Sequence, residues 1–363
     1  MNARMIILPL LCALTVTHYT RPFNMSFFYR AASQPTRTQL ENNQLMTLKA
    51  QLKQGRAYDA RNRKGGYTPL YSLFSPNKNT SMSGTFDFYQ AEFYFAHNIT
   101  ASTFLEYTIP VNRFKFKPYS HKEHIKCCPA YMCTTYGTQQ PFITPISTSN
   151  LGDSTTLVGW TINNDKTEEL DFVDCTLKTG IWWPTGTYLN SRSCCIIPNG
   201  YGHWGIPLSC DVAWGAYDWL TLGVHGDTTF FMRSHTHIPS DNCTYETRPG
   251  NVSNATIYAE ADHFLFDISV LIGYTHSKQS PSLFKPICGD TTSCYTTQSN
   301  NPLFSPWSMH TIHIGLNYDM SEEDRLFNPH IEIYFDRVLT GKRIFNTGTI
   351  AGTCGINLQW NYA

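Results

Sequence analysis

The chain has 363 residues, with 27 lysines and arginines balancing 27 acidic residues, so its formal net charge is zero. Charged residues are 15% of it and aromatic residues 14%, which excludes a disordered chain and leaves no global field for nucleic acid. This length allows one large domain or two ordinary ones.

The chain opens Met1-Asn2-Ala3-Arg4 and runs apolar from Met5 to Val16. A basic start, a short apolar run and the small residues Thr15 and Thr17 predict a secretory signal peptide over residues 1–17. The run is too short to cross a bilayer as a helix. Phe264 to Tyr274, the most apolar later stretch, carries Asp267, and Cys354 to Ala363 holds no anchor or lipidation motif. No transmembrane segment is therefore expected, and the predicted location is secreted or extracellular. Behind a signal peptide the sequons at Asn24, Asn79, Asn98, Asn242, Asn251 and Asn254 become glycosylation candidates.

Residues 18–84 are predicted to be an N-terminal arm with one amphipathic helix over about 38–54. Thr38 and Glu41 have capping-box spacing, Leu45, Leu48 and Leu52 share a helical face, and Gly55 supplies a stop. From Arg30 to Gly66 eight basic residues face two acidic ones. A solvated face accounts for them, and contact with an acidic glycan or phospholipid surface is the functional alternative.

Residues 85–245 are predicted to be a cysteine-dense, β-rich core. Phe86 and Phe88, then Ala91, Phe93 and Phe95, alternate with polar residues, and the break in register near Tyr89 predicts a bulge. Phe114 and Phe116 oppose Arg113, Lys115 and Lys117. Charge on the outer side of an edge strand gives this pattern, and so does a basic ligand-binding stripe.

The disulfide candidates are Cys127, Cys128, Cys133, Cys175, Cys194, Cys195, Cys210, Cys243, Cys288, Cys294 and Cys354. The vicinal pairs Cys127-Cys128 and Cys194-Cys195 are poorly shaped to bond internally, so each member is expected to reach a different partner. Removal of Cys12 with the signal peptide leaves an odd number, which implies a free thiol or a disulfide-linked homo-oligomer.

Two clusters have the residue types of metal ligands. His121 and His124 precede Cys127, Cys128 and Cys133, but oxidised cysteines do not bind zinc. His225, Asp227, His235 and His237 form the second cluster, on which an alternative reading as a secreted metal-dependent hydrolase rests. Gly152-Asp153-Ser154 has the residues of a GDSL-type esterase block. No Asp lies three residues before any His, so a turn is the reading there.

Residues 246–363 are predicted to be a further β-rich part packing on the core. Ile331, Ile333 and Phe335 alternate with Glu332, Tyr334 and Asp336, and the stretch from Thr275 to Ser308 reads as a surface loop pinched at Cys288 and Cys294.

These readings together predict a mainly β fold: a disulfide-stapled, antiparallel, β-sandwich-like ectodomain with one N-terminal helix. It would have no catalysis, no cofactor and no nucleic-acid partner. The signal peptide, the two vicinal cysteine pairs and the spread of sequons from Asn24 to Asn254 resemble the cysteine-rich virion surface glycoproteins of insect plus-strand RNA viruses, of the negevirus and chroparavirus type. That resemblance implies attachment or entry through a host surface protein or glycan. A soluble effector that binds host proteins is a further alternative.

Overall fold

The computed structural model describes residues 44–68, 70, 84–100, 102–118, 146–165, 172–186, 200–217, 219–238, 243–265, 268–287, 306–320 and 326–359. Seventeen strands run in chain order: β1 (Gln44–Arg61), β2 (Tyr67–Thr68), β3 (Gly84–Asn98), β4 (Thr103–Pro118), β5 (Ile146–Leu151), β6 (Ser154–Asp165), β7 (Phe172–Trp183), β8 (Gly205–Tyr217), β9 (Leu220–Phe231), β10 (Ser234–Ile238), β11 (Cys243–Arg248), β12 (Val252–Leu265), β13 (Ile268–Gln279), β14 (Leu283–Pro286), β15 (Trp307–Asp319), β16 (Phe327–Lys342) and β17 (Ile344–Gln359). Twelve of them pair antiparallel in the order β1-β3-β4-β6-β7-β8-β9-β12-β13-β15-β16-β17, and β17 pairs back onto β1. The sheet is a closed barrel. β5 extends the wall above β6 on β4, and β10, β11 and β14 form a small separate sheet.

The expected β-sandwich with an N-terminal helix is therefore corrected. No α-helix is present among the described residues, and most of the segment read as helical is β1. Leu48 and Leu52 are four apart, a spacing that fits one helical face and one strand face equally. The residues flanking them decide it, because Thr47 and Lys53 are buried while Leu48 and Leu52 are exposed. Gly55, read as a helix stop, lies mid-strand with the Phe88 ring across it, where a Cβ would stand 2.1 Å from the ring. The capping pair Thr38 and Glu41 lies outside the described residues.

Alternation with period two was foreseen on β16, but its sense is inverted. Ile331, Ile333 and Phe335 are 42%, 49% and 46% exposed, while Glu332, Tyr334 and Asp336 are buried. The same inversion recurs around the ring. Val158, Trp160 and Ile162 on β6, Leu177 and Ile181 on β7, Val224 on β9, Ile257 on β12, Ile272 on β13 and Ile314 and Leu316 on β15 all face outward. Buried within are Asp174, Thr176, Asp211, Thr256, Thr275, His313 and Thr353. Strands of 12 to 18 residues with an apolar outer face and a polar inner one suit a hydrocarbon surround, where tilted strands need only about 9–11 residues to cross.

The break in alternation near Tyr89 has the same origin. β3 pairs with β1 and β4 without any register shift, so no bulge is present. Phe86 and Phe88 point inward at one rim, where the interior is apolar; farther along the strand the interior is polar, and Phe93 turns outward. The strand that carries Phe114 and Phe116, β4, runs unbroken from Thr103 to Pro118. Both of its sides are paired, so it is not an edge.

Antiparallel neighbours place successive connections at alternate rims. β4, β7, β9 and β13 end at one rim, the one followed by the longer sequence intervals to the next barrel strand, while β3 and β12 end at the other, followed by short intervals. The residues on either side of the expected boundary at 245 and 246 belong to one strand, β11.

Candidate functional site

The barrel interior has two zones: a charged lumen at mid-height and an apolar plug at the rim with the long connections. Burying so many polar groups is tolerable only if they satisfy one another. Lys53 Nζ donates to Asp336 Oδ2 at 2.8 Å, His313 Nδ1 lies 2.8 Å from Asp336 Oδ1, and the Thr349 hydroxyl donates to Asp336 Oδ2 at 3.1 Å. One turn of the pleat away, Lys49 donates to Glu332 at 2.9 Å, and the Tyr334 hydroxyl also reaches Glu332. Both lysines are on β1 and both carboxylates on β16, so the pairs reach across β17, Lys53 beside the small Ala351 and Lys49 beside Gly355. They clamp the seam at which the barrel closes.

Elsewhere in the wall, Lys178 Nζ and the Tyr94 hydroxyl both donate to Glu106 Oε1, at 2.7 and 2.8 Å. On the far side His225 stands between two carboxylates, with Nδ1 3.3 Å from Asp211 and Nε2 3.4 Å from Asp227. Asn254 donates to both oxygens of Asp227 at 2.8 Å. Carboxylates outnumber lysines in this lumen: Glu106, Asp174, Asp211, Asp227, Glu332 and Asp336 share it with Lys49, Lys53 and Lys178. The chain as a whole is neutral, so the barrel has sorted its charges.

The plug is built from Tyr201, Phe231, Val252, Trp307, Met309, Val338 and Ile344, with Trp182 against it. Tyr201 comes from the connection between β7 and β8. Its ring stacks on Phe231 at 4.3 Å and meets Trp182 edge-on at 5.7 Å. Asp153, in the two-residue break between β5 and β6, holds that connection in place. Its carboxylate accepts the Tyr201 N–H, the Gly186 N–H at 2.9 Å and the Trp182 indole N–H at 3.0 Å. Gly200 must be glycine, because a Cβ there would stand 2.2 Å from Asp153 Oδ1. Burial raises the Asp153 carboxyl to about 6, against the opposing pull of the indole and backbone N–H donors. His203 bridges the same segment to the small sheet, with Nε2 3.1 Å from Thr247 Oγ1.

The proposed metal cluster is not assembled. His225 and Asp227 sit in the lumen on β9, whereas His235 and His237 belong to β10 in the separate sheet. No group of metal ligands is found among the described residues. Sequence reading named His225 and Asp227 but missed Asp211 and Asn254, which register alone brings beside them. Gly152-Asp153, expected as a turn, is a two-residue break between β5 and β6, which run the same way along β4, and Ser154 Oγ lies 2.9 Å from Thr185 Oγ1.

Cys175, Cys210 and Cys354 are free thiols on barrel strands, and the described residues contain no disulfide. Cys243 begins β11. Cys127, Cys128, Cys133, Cys194, Cys195, Cys288 and Cys294, with His121 and His124, lie outside the described residues, as do the sequons at Asn24, Asn79 and Asn242. Asn98 ends β3 and Asn251 precedes β12. Asn254 is a poor acceptor in the folded chain, because its amide is buried against Asp227.

No protein-family model matches the chain, and no curated protein matches it. Solved structures do. The fold is similar to that of an outer membrane channel from Pseudomonas putida F1, with a TM-score of 0.55 and 10% identity over 87% of this chain and 96% of that one. The transport unit of the autotransporter AIDA-I from Escherichia coli overlaps at a TM-score of 0.45 and 10% identity, over 94% and 100% of the two chains. The first of these likenesses, together with the inverted alternation, overturns the expected secreted or virion-surface glycoprotein with no transmembrane segment and a host protein or glycan as partner. In architecture the chain is similar to outer-membrane β-barrels.

Proposed function

We propose that the chain spans a membrane as a β-barrel and passes small polar solutes, cations in preference, along its ion-lined lumen. The observation that carries this reading is the inversion of the wall, with apolar side chains outside and paired charges inside. An excess of carboxylates over lysines favours cations in a low-dielectric passage. The Tyr201 plug closes the mouth in the state described.

Planar-bilayer recording tests this. The Tyr201→Ala variant is expected to conduct at least several-fold more than the wild type, with a reversal potential under a KCl gradient that favours potassium. An inserted Tyr201→Ala barrel that passes no current would refute the reading.

Acid is expected to tighten the plug. The latched state holds Asp153 at about 6, above its ordinary value of 3.8, so the latched state binds the proton more strongly than an open, hydrated one. That contribution is complete below about pH 4 and is lost as pH rises through about 6; a shift of roughly two units corresponds to about 3 kcal/mol at most. Current should fall as pH drops from about 7.5 to 5. The Asp153→Asn variant should lack this response, and an unchanged pH profile in that variant would remove Asp153 as the latch.

A further inference from the structure

The outward cations on β1 and β4 have no role in the passage. Arg113, Lys115 and Lys117 project from β4 on the outer face, opposite the inward Asn112 and Phe114. Arg56 on β1 joins them across β3, since Arg56 pairs with Asp87 and Asp87 with Lys115. Asp87 is the single carboxylate among them, bound by Arg56 at 2.5 Å and by Lys117 at 3.6 Å. Four cations thus face one acid on three neighbouring strands about 5 Å apart.

Charge on an outer strand face commonly blocks edge-to-edge association. β4 has no free edge, so that explanation does not apply here. The position is informative instead. Moving along the same strands from the cations toward mid-barrel, the outward residues become Leu52 and Leu48 on β1 and Phe93 on β3, all exposed. Tyr58 and Tyr89, also exposed, stand beside the cations. Aromatic residues followed by Lys and Arg mark the level where hydrocarbon gives way to headgroups. Among the described residues, no Lys or Arg faces outward on β6, β7, β8, β9 or β12, whereas Lys278 on β13 and Arg337 on β16 do, so the outward cations lie on the side of the barrel from β13 to β4 and are densest on the β4 flank.

We infer that this flank binds the phosphate headgroups of anionic phospholipid. The inference rests on the membrane-spanning reading proposed above. Arginine presents a planar fork that matches phosphate oxygens, and the lysine stems let their heads reach the interface. Each cation near an anionic surface contributes about a fivefold gain in lipid retention.

The test uses the full chain in vesicles of phosphatidylcholine, with or without phosphatidylglycerol, followed by native mass spectrometry of retained lipid. Wild type is expected to retain phosphatidylglycerol over phosphatidylcholine. The variant R113Q/K115Q/K117Q should lose about fivefold per cation removed. A second variant, Arg113→Glu, should lose more than Arg113→Gln, which guards against a fold defect in the triple change. Equal retention of the two lipids by wild type, or undiminished phosphatidylglycerol on the triple variant, overturns the inference while leaving the barrel reading intact. Competition by millimolar inorganic phosphate would overturn it in favour of a general anion site. A chain that enters neither vesicle defeats both readings.

Discussion

Replacing Ile333 with Arg is expected to destabilise the inserted barrel by about 2–4 kcal/mol. Ile333 lies in the middle of β16, outward and half exposed, with Ile331 and Phe335 on either side of it along the same face. In water such a substitution on an exposed strand face would change stability by roughly 0.5 kcal/mol or less. In hydrocarbon the guanidinium loses its hydration and finds no partner on the outer wall. Urea unfolding from lipid vesicles measures the difference. A loss below about 0.5 kcal/mol would mean that this face meets water.

Lys53→Met is expected to cost about 3 kcal/mol, the lower end of the range for breaking a buried ion pair. Lys53 and Asp336 are only 3% and 4% exposed, and removal of the ammonium leaves a carboxylate far from water. His313 and Thr349 still hold Asp336, which keeps the loss from being larger. The double variant Lys53→Met/Asp336→Leu should recover at least half of it, because an apolar pair avoids the stranded charge. If the double variant is as unstable as the single one, the cost lies in packing and not in charge. The pairing of β17 with β1 is the longest-range among the described strands, and the Lys53 pair bridges it, so heat should open the Lys53→Met barrel there first.

The strand content was legible in the sequence, and the side that each strand shows to its surroundings was not. Period two states that Ile331, Ile333 and Phe335 share a face; it does not state whether that face meets a core or a membrane. The expected β-sandwich would turn that face toward a core. Leu48 and Leu52 misled for a related reason, since a spacing of four satisfies both periods. Closure was invisible as well. Gln44 pairs with Gln359, and no local pattern announces a contact across the whole chain.

The site was legible in pieces. His225 with Asp227 was read as a cluster, while Gly152-Asp153, read as a turn, is a break between two strands that run the same way along β4. Their meaning depends on Tyr201, Gly186, Trp182, Asp211 and Asn254, which register and the β7–β8 connection bring in from elsewhere. The cysteine-dense middle drew attention toward oxidation. Of the eight cysteines in residues 85–245, Cys175, Cys210 and Cys243 fall on described strands, and the first two carry free thiols.

The inverted wall is tested most directly by placing a single fluorescent probe at each position from 331 to 336 in vesicles whose acyl chains carry bromine. Quenching should alternate with period two, strong at 331, 333 and 335 and weak at 332, 334 and 336. Probes at the odd positions that escape bromine and are quenched by aqueous iodide would place that face in water, and the account of a membrane-spanning barrel would fail with it.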